Sequence, residues 1–120
     1  MYASYSIELR GSIDRIKQEL TQWLKQFDSV ELVSDVCCYD MVLFADIFGH
    51  AFNLPDNVGP ACYDINQAIA DHYKIDINKA FDMSREAIVK EAGKEINGDK
   101  HNSLYDAKVI KGIYEFINNK

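Results

Sequence analysis

The sequence has few of the features that are typical of membrane proteins, of secreted proteins and of proteins stabilised by structural metal ions. Its three cysteines, Cys37, Cys38 and Cys62, include no C-x-x-C pair, so they suggest neither a disulfide framework nor a zinc site. No apolar run approaches the roughly 18 residues of a membrane span, and the start MYASYSIELR lacks the pattern of a secretory signal. We therefore expect buried, reduced thiols in a cytoplasmic protein that has no membrane partner.

Basic residues are also in deficit. Thirteen Lys and Arg against nineteen Asp and Glu give a formal charge of −6, which argues against binding nucleic acid over a broad basic surface. The deficit does not exclude an enzyme that contacts phosphates through bound divalent cations, because such a site is itself built from carboxylates.

Glycine and proline are too scarce for a fibrous chain, at six and two residues, and 48% of the residues are hydrophobic. The length of 120 residues suits one domain with a core of its own. We expect residues 1–120 to form a single domain without repeats or linkers.

Hydrophobic spacing predicts a series of helices. Ser12 is a candidate cap for an amphipathic helix over residues 13–27. A second helix, about residues 39–52, is apolar on most sides and is therefore predicted to be largely buried. Further helices follow through QAIADHY, after caps predicted at Asn78 and Ser84, and after the polar loop NGDK. The last helix is predicted to pack through Leu104, Ala107, Ile110, Ile113, Tyr114 and Ile117, and Gly93 is a plausible stop for the helix before it.

Two short segments have strand character, VELVSDVC over residues 30–37 and ACYDI over residues 61–65. The connection between them is long enough for a crossover helix, so the two strands are predicted to be parallel in an α/β fold. Two strands alone make a poor sheet, which suggests that part of the sheet is absent.

Polar groups stand at two of the predicted junctions. Asp40 lies where a strand becomes a helix, a position from which α/β sheets present functional groups. His101 lies in the last loop, and Asp106 about one turn inside the final helix. If these junctions meet, two carboxylates suited to Mg²⁺ or Mn²⁺ converge with an imidazole that can accept a proton from water.

Other polar residues allow plainer interpretations. Asp64 ends a predicted strand, and it either faces the same cleft or serves a turn or cap. His50 and His72 are expected to be solvated or locally paired. The charged run over residues 85–94 predicts an exposed helix face.

The segments YDMVLF and HNSLYDA resemble the second and third motifs of the DEDDh group of 3′–5′ exonucleases, in which HNALxDA is a common form of the third motif. Within that group, the residues of these two segments are most similar to the motifs of the small 3′–5′ exoribonuclease-like proteins of bacteria and phage. The resemblance runs from about Leu9 to the C-terminus, in the order of elements found in that group. It implies a ribonuclease H-like fold.

The resemblance also implies roles for individual residues. Asp40 would help to hold a metal ion, Asp106 would be a direct metal ligand, and His101 would be the general base that activates water. Asn102 is expected to support the loop. The implied cofactor is Mg²⁺ or Mn²⁺, and the implied substrate is the 3′ end of single-stranded RNA or DNA.

One motif of the group is missing. Its first motif, Asp-x-Glu, lies on the first strand of the family fold, and no Asp in this sequence is followed two positions later by Glu or Asp. We therefore expect a truncated, N-terminally incomplete domain with about two parallel strands, whose first strand presents an open edge. Either the residues MYASYSI fold back as a substitute strand, or a homodimer or another partner covers that edge, and we favour the homodimer. Two functions remain open: a metal-dependent exonuclease, and a non-catalytic interaction module derived from one.

Overall fold

The computed structural model describes residues 6–98 and 102–118. The chain has mixed α/β architecture, and its two strands pair in parallel in one sheet. The elements in chain order are α1 (Ile13–Leu24), β1 (Val30–Ser34), α2 (Cys37–Ile47), a 3-10 turn (Ala51–Asn53), β2 (Val58–Asp64), α3 (Ile65–Tyr73), α4 (Ile77–Asp82), α5 (Arg85–Glu91) and α6 (Ser103–Asn118). None of the helices in this part of the chain is long and apolar enough to cross a membrane.

The chain forms two compact units. Unit 1 consists of the residues up to Leu32 together with Val36–Tyr63, and unit 2 consists of Val33–Asp35 together with the residues from Asp64 onward. Unit 1 therefore contains α1, α2 and most of both strands, whereas unit 2 contains α3 to α6 and the end of β1.

The first helix begins and ends for identifiable reasons. The Ser12 side chain caps it by accepting a hydrogen bond from the Arg15 amide at 3.2 Å, as predicted. The helix ends at Leu24, three residues before the predicted end. The Asn57 side-chain amide donates to the carbonyls of Leu24 and Phe27 at 2.9 and 3.0 Å, so it satisfies acceptors that a longer helix would have used.

Unit 1 is built on one apolar cluster. Leu24, Phe48 and Val58 are its buried members, and they come from α1, the end of α2 and β2. Partly buried side chains surround them: Leu20, Trp23, Val30, Leu32, Phe44, Ile47 and Leu54. Burial of these side chains is the main favourable contribution to the stability of the unit.

The second helix corrects the prediction in length and burial. It ends at Ile47, because Phe48 and Gly49 leave helical geometry and Gly49 takes a positive φ of 100°. Only the side facing the cluster is covered, and Tyr39, Val42 and Leu43 are 63%, 64% and 49% exposed. The prediction of a largely buried helix is therefore wrong.

The strand bounds also differ from the predicted ones. The first strand ends at Ser34, and the second begins at Val58, three residues before the predicted start. Pro60 therefore lies inside a strand that is one edge of the sheet, where the missing N–H of proline is tolerated.

Four helices supply the core of unit 2. Its largest fully buried side chains are Ile65, Ile69, Ile88 and Ile113, from α3, α5 and α6, and α4 contributes the fully buried Ala80. Ser84 caps α5, and Gly93 follows that helix with a φ of 72°, as predicted. The cap predicted at Asn78 is wrong, because Asp76 caps α4 and accepts a hydrogen bond from the Asn78 amide at 2.7 Å.

The last helix packs through much of the predicted face: Ile113 is buried, and Leu104, Ile110, Tyr114 and Ile117 are partly buried. Its buried residues are Val109, Gly112 and Ile113, and of these only Ile113 was predicted. Gly112 decides the packing: a Cβ at this position would lie 3.3 Å from the Ile96 side chain, so the missing side chain lets the preceding loop approach closely. Ala107, which was predicted to face the core, is exposed.

Candidate functional site

Asp40 lies at the predicted junction. It is in the first turn of α2, six residues after the end of β1, and its side chain is exposed. Its amide donates to the carbonyl of Val36 at 2.9 Å, which fixes the backbone of this turn. An acidic side chain here is favoured by the positive end of the helix dipole, so the position is compatible with a solvent-facing carboxylate.

Asp106 lies in the first turn of α6, as the sequence predicts. It is the fourth helical residue, its amide donates to the Asn102 carbonyl at 2.9 Å, and its side chain is exposed. This carboxylate is therefore accessible on the surface of unit 2.

Asn102 has the supporting role predicted for it. Its side-chain oxygen accepts hydrogen bonds from the amides of Leu104 and Tyr105, at 3.0 and 3.2 Å. These are two of the amides that have no partner within a helix, so Asn102 acts as the N-cap of α6. The cap holds the first turn on which Asp106 lies.

Gly98 holds the preceding loop against the same turn. It has a φ of 141°, and a Cβ at this position would lie 2.9 Å from the Tyr105 ring. Glycine is required both by the backbone conformation and by the closeness of the ring. Tyr105 of the HNSLYDA segment therefore has a structural role beside the proposed catalytic residues.

The three predicted site residues have different outcomes. Asp40 belongs to unit 1 and Asp106 to unit 2. His101 lies outside the described residues. Convergence of the three side chains therefore stays a prediction.

The donor chemistry suits a hard divalent cation, since Asp40 and Asp106 both present exposed carboxylates. Within residues 6–98 and 102–118, no three His, Cys, Asp or Glu side chains are grouped so that they could hold a metal ion. Binding of a divalent cation therefore stays a prediction.

A polar network at the end of β1 was missed by the sequence analysis. Asn66 donates to the carbonyl of Asp35 at 2.8 Å, and the Arg85 guanidinium donates to the Asn66 side-chain oxygen and to the carbonyl of Ala80. The Arg85 side chain is only 15% exposed, so the prediction of an exposed face is wrong at this residue.

The network places one cation among acidic groups in unit 2. Burial lowers the pKa of the Arg85 guanidinium, and the carboxylates of Asp35, Asp64 and Glu86 act in the opposite direction. Arg85 lies 3.9 Å from the Asp35 carboxylate. The arrangement binds α3 and α5 to the end of β1. In the sequence, the position of Arg85 directly after the capping Ser84 was the signal for this network, but Arg85 was assigned to the exposed charged face.

The remaining polar residues have local roles. Asp64 caps α3 by accepting a hydrogen bond from the Asn66 amide at 2.9 Å, which supports the capping alternative. His50 accepts a hydrogen bond from the Phe52 amide in the 3-10 turn. The His72 ring packs edge-on against Tyr73 and Phe116, with centroid separations of 4.7 and 5.4 Å.

Comparisons of the chain with protein-family models, with curated proteins and with solved structures give no match. The resemblance to DEDDh exonucleases therefore stays a prediction from the two sequence motifs.

Proposed function

We propose that the chain is a 3′–5′ exonuclease-like protein of ribonuclease H-like ancestry, which hydrolyses the 3′ ends of single-stranded RNA or DNA in the cytoplasm. The observation that carries the proposal is the shared setting of its two carboxylates. Asp40 and Asp106 each lie in the first turn of a helix that follows a strand or a loop, and both are exposed. This is the setting that their motifs predict.

Each proposed site residue has one task. Asp40 and Asp106 would supply carboxylates to a divalent cation, and His101 would accept a proton from the attacking water. Such a cation, Mg²⁺ or Mn²⁺, would supply stabilisation of negative charge on the phosphate oxygens when bound. Asn102 and Gly98 act as positioning residues for Asp106, because both contact the first turn of α6.

The proposal is tested with a 5′-labelled single-stranded RNA and, in parallel, the matching DNA, incubated with purified chain and Mn²⁺. We expect a ladder that shortens from the 3′ end and that is lost in Asp106→Asn, Asp40→Asn and His101→Ala. Asp46→Asn is the matched control, because Asp46 is an exposed aspartate further along α2.

The outcome is decided by the comparison between variants. A ladder that survives Asp106→Asn comes from a contaminating nuclease and contradicts the proposal. So does the absence of any ladder at high protein concentration. His72→Ala provides the control for loss of a histidine, because the exposed His72 has no role in the proposed site.

A second function is favoured by the surface of unit 1. The α2 side chains Tyr39, Val42 and Leu43 form an exposed apolar face. Each strand of the described sheet has only one neighbour, so each has an open edge. Exposed apolar faces and unpaired edges are common features of association surfaces. The alternative is a non-catalytic module that self-associates, or binds a partner, through this part of the chain.

Light scattering after size-exclusion chromatography separates the two functions. The interaction module predicts an oligomer that is unchanged in Asp106→Asn and dissociates in Val42→Glu, which places a charge on the apolar face. The matched control is Gln22→Glu, which introduces the same charge at an exposed position of α1, outside that face. A monomer at all concentrations, or an oligomer that is unaffected by Val42→Glu, contradicts association through the face.

A further inference from the structure

Two cysteines from different elements of unit 1 meet. Cys37 is the first residue of α2, and Cys62 lies near the end of β2. Their sulfur atoms are 2.8 Å apart, and both side chains are partly buried. A disulfide has an S–S bond of about 2.0 Å, so the two atoms need to approach by less than about 1 Å to bond.

We propose that Cys37 and Cys62 are a reversible oxidation site, which forms an intrachain disulfide on exposure to a hydroperoxide. This inference does not depend on the exonuclease activity. In a cytoplasmic protein, a disulfide of this kind is more often a transient or sensing bond than a permanent one.

The chemistry balances with a hydroperoxide as the oxidant. One thiolate attacks a peroxide oxygen, the O–O bond breaks, and that sulfur becomes a sulfenic acid while hydrogen peroxide releases hydroxide, which is protonated to water. The second thiol then attacks the sulfenic sulfur, the S–S bond forms, and a second water leaves. The protein loses two hydrogen atoms, which are two protons and two electrons, and the peroxide is reduced to water. A small dithiol reverses the reaction by exchange.

The third cysteine provides an internal comparison. Cys38 is adjacent to Cys37 in sequence, but its side chain is exposed. The sulfur contact joins Cys37 and Cys62. The geometry therefore selects a pair that lies 25 residues apart in the chain over the adjacent pair.

The bond would join two secondary-structure elements. It would attach the first turn of α2 to the end of β2. Cys37 lies three residues before Asp40 in that turn. The bond would also close a loop of intermediate length, which restricts the unfolded chain. We expect the unfolding temperature of the oxidised protein to rise by about 10 °C.

The test is intact mass and non-reducing peptide mapping of the full chain, after treatment with one equivalent of hydrogen peroxide or with dithiothreitol. We expect oxidation to remove the mass of two hydrogen atoms and to join the peptides that contain Cys37 and Cys62. Cys38→Ser should retain both results, whereas Cys37→Ser and Cys62→Ser should lose them. Dithiothreitol should restore the original mass.

Three results would overturn the proposal: a Cys37–Cys38 bond, a covalent dimer, or stable addition of oxygen without loss of hydrogen. Each has a distinct mass or peptide map. Because the map of Cys38→Ser identifies the bonded pair directly, the test does not depend on whether Cys37→Ser and Cys62→Ser fold. Circular dichroism of Cys38→Ser provides the folding control.

Discussion

Replacement of Arg85 by methionine should destabilise the protein substantially. Arg85→Met keeps an unbranched apolar stem but removes every donor from the network. The carbonyl of Ala80, 2.9 Å from the guanidinium, and the side-chain oxygen of Asn66 both lose a charged donor. Leaving a buried acceptor without a partner costs about 1–3 kcal/mol. Removal of the buried guanidinium also removes its desolvation cost, which offsets part of the loss from the two acceptors. We expect a loss of about 2–3 kcal/mol.

The ion pair with Asp35 adds little to that figure, because the two charges are 3.9 Å apart and one-third of the Asp35 side chain is exposed to water. Arg85→Lys should cost less than the methionine variant, about 1 kcal/mol, since an ammonium group cannot reach both acceptors with the fork of a guanidinium.

The assay is urea unfolding followed by far-UV circular dichroism, with the free energy of unfolding compared between variants. Arg15→Met is the matched control, because Arg15 pairs with Glu19 at 3.2 Å on an exposed helix face, where it is 67% exposed. That variant should lose less than about 0.5 kcal/mol. If Arg85→Met costs no more than Arg15→Met, the network does not stabilise unit 2 as argued.

Three further results are expected. Partial burial, together with a hydrogen bond to Glu91 and the charge of that residue, raises the pKa of Tyr73 from 10.0 to about 12. Tyr73 therefore stays protonated to a higher pH in the folded state than in the unfolded state. The stability that this group contributes is lost as the pH rises from 10.0 to about 12. The difference between the absorbance titration curves of the wild type and Tyr73→Phe should show this pKa. If the pKa of Tyr73 is unchanged in Glu91→Gln, Glu91 does not raise it. Asn102→Ala should cost about 1 kcal/mol in urea unfolding through loss of the α6 cap, whereas Asn102→Asp should retain most of it; equal losses would refute the capping role. Ile69→Ala, at a site with 0% exposure, should cost about 2–5 kcal/mol; Ile77→Ala, 41% exposed, should cost far less, and similar values would show that burial does not set the difference.

The sequence predicted those parts of the fold that depend on local signals. Ser12 and Ser84 cap helices as expected, and Gly93 follows the end of α5. These features depend on hydrogen bonds or backbone freedom within a few residues, which a sequence pattern reports directly. The same reason explains why Asp40 and Asp106 were correctly placed in first turns.

The errors arise where distant residues decide the outcome. The end of α1 depends on Asn57, which lies more than thirty residues beyond Leu24. Burial of Arg85 depends on Asn66 and on the carbonyl of Ala80. The apolar composition of α2 led to the prediction that it is buried, but its apolar side chains Tyr39, Val42 and Leu43 are exposed. How much of a helix is covered depends on the elements that pack against it, which its own composition does not specify.

The chain passes between its two units three times, at Leu32–Val33, Asp35–Val36 and Tyr63–Asp64. Neither unit is therefore a continuous segment that a gene fusion can transfer intact. A fragment that starts at Asp64 would lack Asp35, whose carbonyl accepts a hydrogen bond from Asn66 at 2.8 Å. If the chain were divided at this point, complementation between the two halves would require the first half to supply Val33–Asp35, the last two residues of β1 and the residue after them, to the second. Recombination that exchanges the C-terminal half would have to preserve those three residues as well.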